Sequence, residues 1–332
     1  MDIDDKVAAL RRPGTYPEPT ATIEVVETHM SWVFMTERHV YKLKKPVRYT
    51  FLDFSTLAAR ERDCLEEVRL NRRLAPDVYL GVVPLRRGDD GVVRLEGGGR
   101  VLDWLVKMRR LPGERMLKPL IAAGELREDD VRRFMAVLCR FYRQALAEPI
   151  APEAYLERYR ADIDTNEQAL LSAIPPLLPE RIAQVLLAQR DFLAMHGTLL
   201  AARVADGRII EAHGDLRPEH ICLLPQPVFI DGLEFKRDFR LLDPVEELAF
   251  LTMECEHLGA AWIGGIVFDS YRQCTHDRPP QRLITFYLGF RAALRARLAV
   301  WHAQDGKPGD EAKWLQRAGE YLAIAARHAA EL

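Results

Sequence analysis

The sequence reads as an α+β protein of two lobes, a small antiparallel sheet lobe over residues 1–111 and a larger helical lobe over residues 112–332. Three observations lead there. The first third carries short β-branched or alternating runs broken by Gly and Pro, the pattern of strands and tight turns. From residue 131 onward apolar residues recur with helical period. At about 150 residues per domain, a chain of 332 residues leaves room for two cores.

The elements follow in order. Residues 1–20 are charged and then proline-rich, an arm or leading helix. Runs at 21–27, 32–36 and 39–43 read as strands, the last two joined at Glu37-Arg38 in a tight hairpin. Ser55 offers an N-cap for a helix running to about Leu74, ended by Ala75-Pro76. Strands at 79–85 and 92–95 bracket the turn at 88–91, and a further strand covers 101–108. Leu111-Pro112-Gly113 stops it, and the lobe boundary belongs there. The Gly97-Gly98-Gly99 run joins two strands and opens no helix, so it is a hairpin turn. Val131, Phe134, Met135, Leu138, Cys139 and Tyr142 then share one helix face. Helical period resumes at 153–171 and 180–203. A mixed segment at 209–230 follows, and the rest is helical with breaks near 279–280 and 305–309.

Composition excludes several classes. Hydrophobic residues at 48% and charged residues at 29% describe a globular chain, not a disordered or coiled-coil one. Lys and Arg total 47 against 49 Asp and Glu, a net charge of -2 that does not advertise nucleic acid as a partner. The longest charge-free apolar stretch, residues 258–268, contains three glycines and is too short to span a bilayer, so no membrane partner is expected. The acidic N-terminus MDIDDKVAAL lacks an apolar signal core, which points to the cytoplasm. The five cysteines form no CxxC pair, so neither a disulfide framework nor a zinc site is expected and each reads as a small buried hydrophobe.

Residues 213–223, HGDLRPEHICL, carry the chemistry. Against the kinase catalytic-loop pattern H-R-D-L-x-x-x-N they match at His213, Asp215 and Leu216, with His220 where Asn is usual. Eleven residues past His220, Phe229-Ile230-Asp231 places a second carboxylate at the spacing of a short hairpin. Phosphoryl transfer needs two such acids, one orienting the attacking hydroxyl and one holding Mg²⁺ against the phosphates. With SWVFMTERHVYKLKKP, LNRRLAPDVYLGVVPL and FIDGLEFKRDFRLLDPVEELAFL, this loop makes the chain resemble the aminoglycoside phosphotransferase and choline kinase family. It looks most like a bacterial branch of that family, some of whose members carry an additional P-loop domain. No G-x-x-x-x-G-K-[ST] occurs, so the branch without that domain is expected.

The resemblance implies a two-lobed, protein-kinase-like fold and ATP-dependent phosphorylation of a small-molecule hydroxyl, with aminoglycoside, sugar, choline-like and nucleoside acceptors all open. It implies Asp215 as catalytic base, Arg217 on the γ-phosphate and Asp231 as the Mg²⁺ ligand. Lys42 would clamp the α- and β-phosphates, with Lys44 on the same strand face as runner-up. The partner of that lysine would be Glu67 or Glu66, with Glu67 preferred because Leu70 and Leu74 lie at i+3 and i+7 beyond it. Val40 would cover the adenine, and the backbone from Met108 to Leu111 would hydrogen-bond it. No G-x-G-x-x-G stands between the first two strands, leaving the backbone there and the Thr28 or Ser31 hydroxyl for phosphate contact. His220 either ligates the metal, which Mn²⁺ tolerates better than Mg²⁺, or hydrogen-bonds Asp215.

Two other readings compete: a nucleotide-binding pseudokinase acting as scaffold or regulator, kept alive by His220 and the missing glycine loop, and a protein kinase. The second lacks a recognisable activation loop before the next helix. Arg291, Arg295 and Arg297 read either as the polar flank of an amphipathic helix or as an acceptor pocket for an anionic substrate. Asp243, Glu246 and Glu247 read as braces for the catalytic loop. The sequence is silent on oligomeric state.

Overall fold

A computed structural model describes residues 1–49, 52–306 and 309–332. The chain divides into two compact units: Met1–Met116 with His220–Phe239, and Leu117–Glu219 with Arg240–Leu332. The boundary therefore differs from the expected one at 111, and the metal-loop segment leaves the helical part of the sequence. The physical reason is local pairing. Met116 bridges Cys222, the Leu223 amide donates to the Arg115 carbonyl at 2.8 Å, and the Gly232 amide donates to the Asn71 side chain.

The first unit opens with α1 (Ile3–Leu10) and strands β1 (Glu24–Glu27), β2 (Ser31–Met35) and β3 (His39–Lys44). The short ribbon of β4 (Arg48–Tyr49) and β5 (Leu52–Asp53) precedes α2 (Leu57–Asn71). Strands β6 (Tyr79–Arg87), β7 (Val93–Arg94) and β8 (Arg100–Arg109) complete a six-stranded antiparallel sheet of order β1-β2-β3-β8-β6-β7. The helix cap sits one residue later than expected. Thr56 Oγ1 accepts from the Ala59 amide at 3.1 Å, because the Ser55 hydroxyl is engaged by Asp53 at 2.5 Å. The helix also ends at Asn71, three residues short of Leu74.

Pleat alternation splits β3 and β8 between two cores. Tyr41, Leu43 and Leu105 join Leu10, Tyr16 and Phe34 on one face. Val40, Val106 and Met108 face Cys64, Val68 and Tyr79 on the other, against α2. Each buried aromatic or aliphatic side chain is worth roughly 1.5–3 kcal/mol. This register delivers Lys42 and Lys44 to the α2 face. The glycine run is not the hairpin turn expected: β7 and β8 pair with opposite sides of β6, so residues 95–99 cross over from one side of that strand to the other. A Cβ at Gly99, whose φ is +114°, would lie 2.1 Å from the Arg87 carbonyl oxygen.

Past residue 116 the chain forms α3 (Leu117–Ala122), α4 (Glu128–Gln144), α5 (Pro152–Leu171), α6 (Pro179–Ala205) and β9 (Ile210–Glu211) in the second unit. It returns to the first unit for β10 (Ile221–Cys222) and β11 (Val228–Phe229). The second unit then ends with β12 (Leu241–Leu242), α7 (Pro244–His257), α8 (Trp262–Thr275), α9 (Gln281–Asp305) and α10 (Glu311–Ala329). All six apolar residues of the α4 face are buried, as their spacing predicts. The expected break at 305–309 falls between α9 and α10, with Lys307 and Pro308 outside the described residues. One expectation fails: Cys139 on α4 and Cys274 on α8 form a disulfide, while Cys64, Cys222 and Cys255 are buried free thiols. The two partners are 135 residues apart, and helix packing rather than any local spacing brings them together.

Candidate active site

In the first unit, Lys42 on β3 reaches two carboxylates at once. Its ammonium lies 3.0 Å from Glu67 Oε1 and 2.7 Å from Asp231 Oδ1. Glu67, wholly buried on α2, also accepts from Lys44 at 2.7 Å. Glu66 points away and binds Arg69 instead. Lys44 is fully buried, with Asp63 and Glu234 each 2.5 Å away. The carboxylates of Asp63, Glu67 and Glu234 converge within 4.8 Å, and the Lys44 ammonium fills the space that a metal would otherwise need.

The electrostatics follow from burial and pairing. Burial disfavours both ammonium charges, yet Asp231 and Glu67 for Lys42, and Glu234 and Glu67 for Lys44, hold both lysines protonated. Burial likewise raises Glu67, but the two lysines outweigh it and keep this carboxylate ionised. Glu234 goes the other way: burial pushes it up to about 7, against the pull of Lys44.

Asp231 stands at φ +60°, a left-handed conformation unusual for a non-glycine residue and common at working sites. Two residues hold it there that sequence reasoning passed over. The Tyr79 hydroxyl accepts from the Asp231 amide at 2.9 Å, and Asn71 Oδ1 accepts from the Gly232 amide at 2.8 Å. Asn71 lies one helical turn beyond Glu67 and donates to its carbonyl, so the i, i+4 spacing was the available signal. His220 is buried, its Nε2 3.6 Å from Asp231 Oδ2, and its carbonyl accepts from Ile230.

The expected adenine edge is narrower than its sequence span. Met108 lies inside the ladder, paired with Val40 and Tyr79. The Arg109 and Arg110 amides donate to Val78 and Arg38. Leu111 is the first residue whose amide has no partner among the described residues. In the β1–β2 turn, Ser31 is only 2% exposed and its amide donates to Thr28 Oγ1. The Thr28 amide and hydroxyl both donate to the Ser31 carbonyl, at 2.8 and 3.0 Å, so the turn closes on itself with the Thr28 hydroxyl engaged and Ser31 buried.

The second unit holds Asp215 and Arg217. Arg217 grips Asp215 with Nε at 2.8 Å and Nη2 at 2.9 Å, and Glu219 with Nη1 at 2.8 Å. Gly214, at φ +85°, turns the loop as only glycine readily does, and its amide donates to Glu247 Oε1 at 2.8 Å. Tyr142 fixes the other oxygen of Glu247 at 2.8 Å. Asp243 caps α7 through the Val245 amide and is gripped by Arg203 at 2.6 and 2.9 Å. Of the three acids read as braces for the catalytic loop, only Glu247 holds it; Asp243 is engaged by Arg203, and Glu246 by Tyr159 on α5 and Arg291 on α9.

No protein-family model matches the chain. Uncharacterised proteins of Mycobacterium tuberculosis and Mycobacterium bovis are 30% identical to it over 312 residues, 92% of this chain. The chain spans 59% of the length of those relatives. Among known structures, a choline kinase from Cryptosporidium parvum matches with a TM-score of 0.59 at 9% identity, over 99% of this chain and 96% of that one. A choline/ethanolamine kinase family protein from Mesorhizobium loti matches at 0.53 and 14% identity, over 98% and 100%. A thermostable mutant of the aminoglycoside phosphotransferase APH(4)-Ia matches at 0.53 and 12% identity, over 92% and 95%. The chain has the two-lobed, protein-kinase-like fold that these choline kinases and aminoglycoside phosphotransferases share.

Proposed function

We propose that this protein is an ATP-dependent phosphotransferase acting on the hydroxyl of a small molecule, in the cytoplasm. The carrying observation is the Lys42 ammonium held between Glu67 at 3.0 Å and Asp231 at 2.7 Å. A half-buried lysine fixed by a helix glutamate, beside an acid on a strained turn, suits a phosphate clamp next to a metal ligand. Lys42 binds the α- and β-phosphates. The Leu111 amide and the Val40 side chain hold the adenine.

The residues also suit a divalent cation. Lys42 and Lys44 face Asp63, Glu67, Asp231 and Glu234, and an excess of acid over base is what an added cation balances. Asp231 Oδ2 and His220 Nε2, 3.6 Å apart, supply one oxygen and one nitrogen donor. A bound Mg²⁺ or Mn²⁺ would neutralise charge on the β- and γ-phosphates. In the transfer, Asp215 orients the acceptor hydroxyl and takes its proton. The acceptor oxygen bonds to the γ-phosphorus as the bond from that phosphorus to the β,γ-bridging oxygen breaks, and ADP leaves. Arg217 exchanges its carboxylate partners for the γ-phosphate, where its fixed charge is useful.

The test is phosphoryl transfer from labelled ATP to a panel of hydroxyl metabolites, in wild type and Asp215→Asn. The variant should lose at least 10³-fold in turnover and keep its ATP affinity, because the acid acts on the acceptor in the transition state. Wild-type turnover in Asp215→Asn would remove Asp215 from the reaction.

A further inference from the structure

The three arginines of α9 that suggested an anion pocket each meet an acid of another helix. Arg291 lies 2.7 Å from Glu246, Arg295 2.6 Å from Glu254 and Arg297 3.0 Å from Asp162. The disulfide between α4 and α8 bears more closely on the site. Cys139 and Tyr142 lie one turn apart on α4, and Tyr271 and Cys274 one turn apart on α8. The helices are therefore joined at neighbouring turns, by the disulfide and by the Tyr142 and Tyr271 rings. Those rings meet edge to face with centroids 6.3 Å apart.

Both tyrosines lead to the first turn of α7. Tyr142 donates to Glu247 Oε2 at 2.8 Å, and Glu247 Oε1 accepts from the Gly214 amide, next to Asp215, also at 2.8 Å. Tyr271 donates to Asp277 at 2.7 Å. Arg203 bonds both Asp277 and Asp243, and Asp243 caps α7 four residues before Glu247. Glu247 is 1% exposed; burial disfavours its charge, and the Gly214 and Tyr142 hydrogen bonds oppose that. The position of Tyr142 on α4 thus decides how firmly Glu247 holds the loop.

The disulfide is reachable from one end. Cys139 is 4% exposed, while Cys274, in the last turn of α8, is half-buried. We propose that Tyr142 is a positioning residue for the catalytic loop, acting through Glu247, and that a dithiol reductant releases it by opening the Cys139–Cys274 bond. A thiolate of the dithiol attacks Cys274 Sγ and the S–S bond breaks, Cys139 leaving as a thiolate. The second thiol then displaces Cys274 from the mixed disulfide, and the reductant ends as its own disulfide. Each leaving thiolate takes up the proton that its attacker gave up. In the cytoplasm proposed for this protein, the disulfides that do form are mostly transient and redox-sensing. The effect on turnover rests on the role given to Asp215; the effect on the loop does not.

Hydrogen exchange by mass spectrometry on the full chain, with and without dithiothreitol, reads local opening of the loop through peptides covering residues 211–217. Reduction of wild type should speed exchange there by about tenfold or more, the loss of one firm hydrogen bond. Tyr142→Phe, which keeps the ring and deletes the hydroxyl, should do the same with the disulfide intact, and reductant should then add less than about twofold. Cys139→Ser/Cys274→Ser should exchange like reduced wild type and ignore reductant. Wild-type loop exchange indifferent to reductant would overturn the proposal with no variant needed. A reductant effect as large in Tyr142→Phe as in wild type would overturn it too, since the bond would then act through general stability alone. Phosphoryl transfer on the same samples separates the two ideas. Reduction should lower kcat and leave the KM for ATP unchanged. Tyr142-dependent loop opening with no transfer in either redox state leaves the redox brace standing and counts against the phosphotransferase reading. Transfer that is lost in Asp215→Asn yet equal in both redox states does the reverse.

Discussion

Lys42 and Lys44 sit two residues apart on one strand face and share Glu67, yet their surroundings give them different work. Lys42 is 14% exposed at its side chain and bonded to Asp231; Lys44 is sealed among three acids. Lys42→Ala should therefore weaken ATP binding by about tenfold or more, the loss of a charge-assisted contact, with little change in melting temperature. Lys44→Ala leaves buried carboxylates unbalanced and should cost about 3–5 kcal/mol of stability. Nucleotide titration and thermal melts on both variants decide it; a reversed pattern would make Lys44 the phosphate clamp. Glu234 supplies a second signature. Its folded value of about 7 lies above that of an unfolded glutamate, so the fold favours its protonated form. That stabilisation is complete below the unfolded value of about 4.3 and is lost as pH rises to about 7. The stability of Glu234→Gln minus that of wild type should thus increase across this window, and a flat difference would place the titration elsewhere. Alternation along β3 puts Lys42 and Lys44 on one face without choosing between them, and the spacing along α2 favours Glu67 over Glu66; the roles expected of Lys42 and Glu67 come from the resemblance alone. Tyr79 was legible in neither way, because its hydroxyl meets the Asp231 amide 152 residues further along the chain.

Elements differed in legibility for equally physical reasons. The α4 face repeats its period over a dozen residues, and that redundancy fixes it. The pairs β9/β12 and β10/β11 are two residues long each, with nothing to repeat, and the 209–230 segment showed only that strands and a polar loop alternate. The loop from Gly214 to Asp231 was legible through its residue types rather than its shape, and His220 is where it departs from the ordinary pattern. The imidazole lies 3.6 Å from Asp231, so it is placed to share a cation with it. If it does, Mn²⁺ should support nucleotide binding at least as well as Mg²⁺, and His220→Asn should shift preference toward Mg²⁺ by restoring an oxygen donor. Asp231→Ala should abolish metal enhancement of nucleotide binding altogether. Identical metal preference in wild type and His220→Asn would leave the imidazole a structural role, bonded within the loop.

The Cys139–Cys274 disulfide belongs to a larger span, since it ties α4 to α8 across 135 residues of chain. No spacing rule reaches that far, which is why five scattered cysteines gave no hint of one pair. Closing a loop of this length removes conformational entropy from the unfolded chain, at most about 5 kcal/mol in the entropic account. The helical unit already packs α4 on α8, and so the fold should survive reduction while losing stability. For a domain of this size each kcal/mol moves the melting temperature by about 2–4 °C, so a shift on the order of 10 °C is expected. Scanning calorimetry with and without reductant tests this, alongside the double variant Cys139→Ser/Cys274→Ser. Reductant should lower the wild-type transition to that of the double variant and leave the variant unmoved. A wild type indifferent to reductant would mean that the two thiols stand side by side unbonded, the state that a reducing cytosol favours.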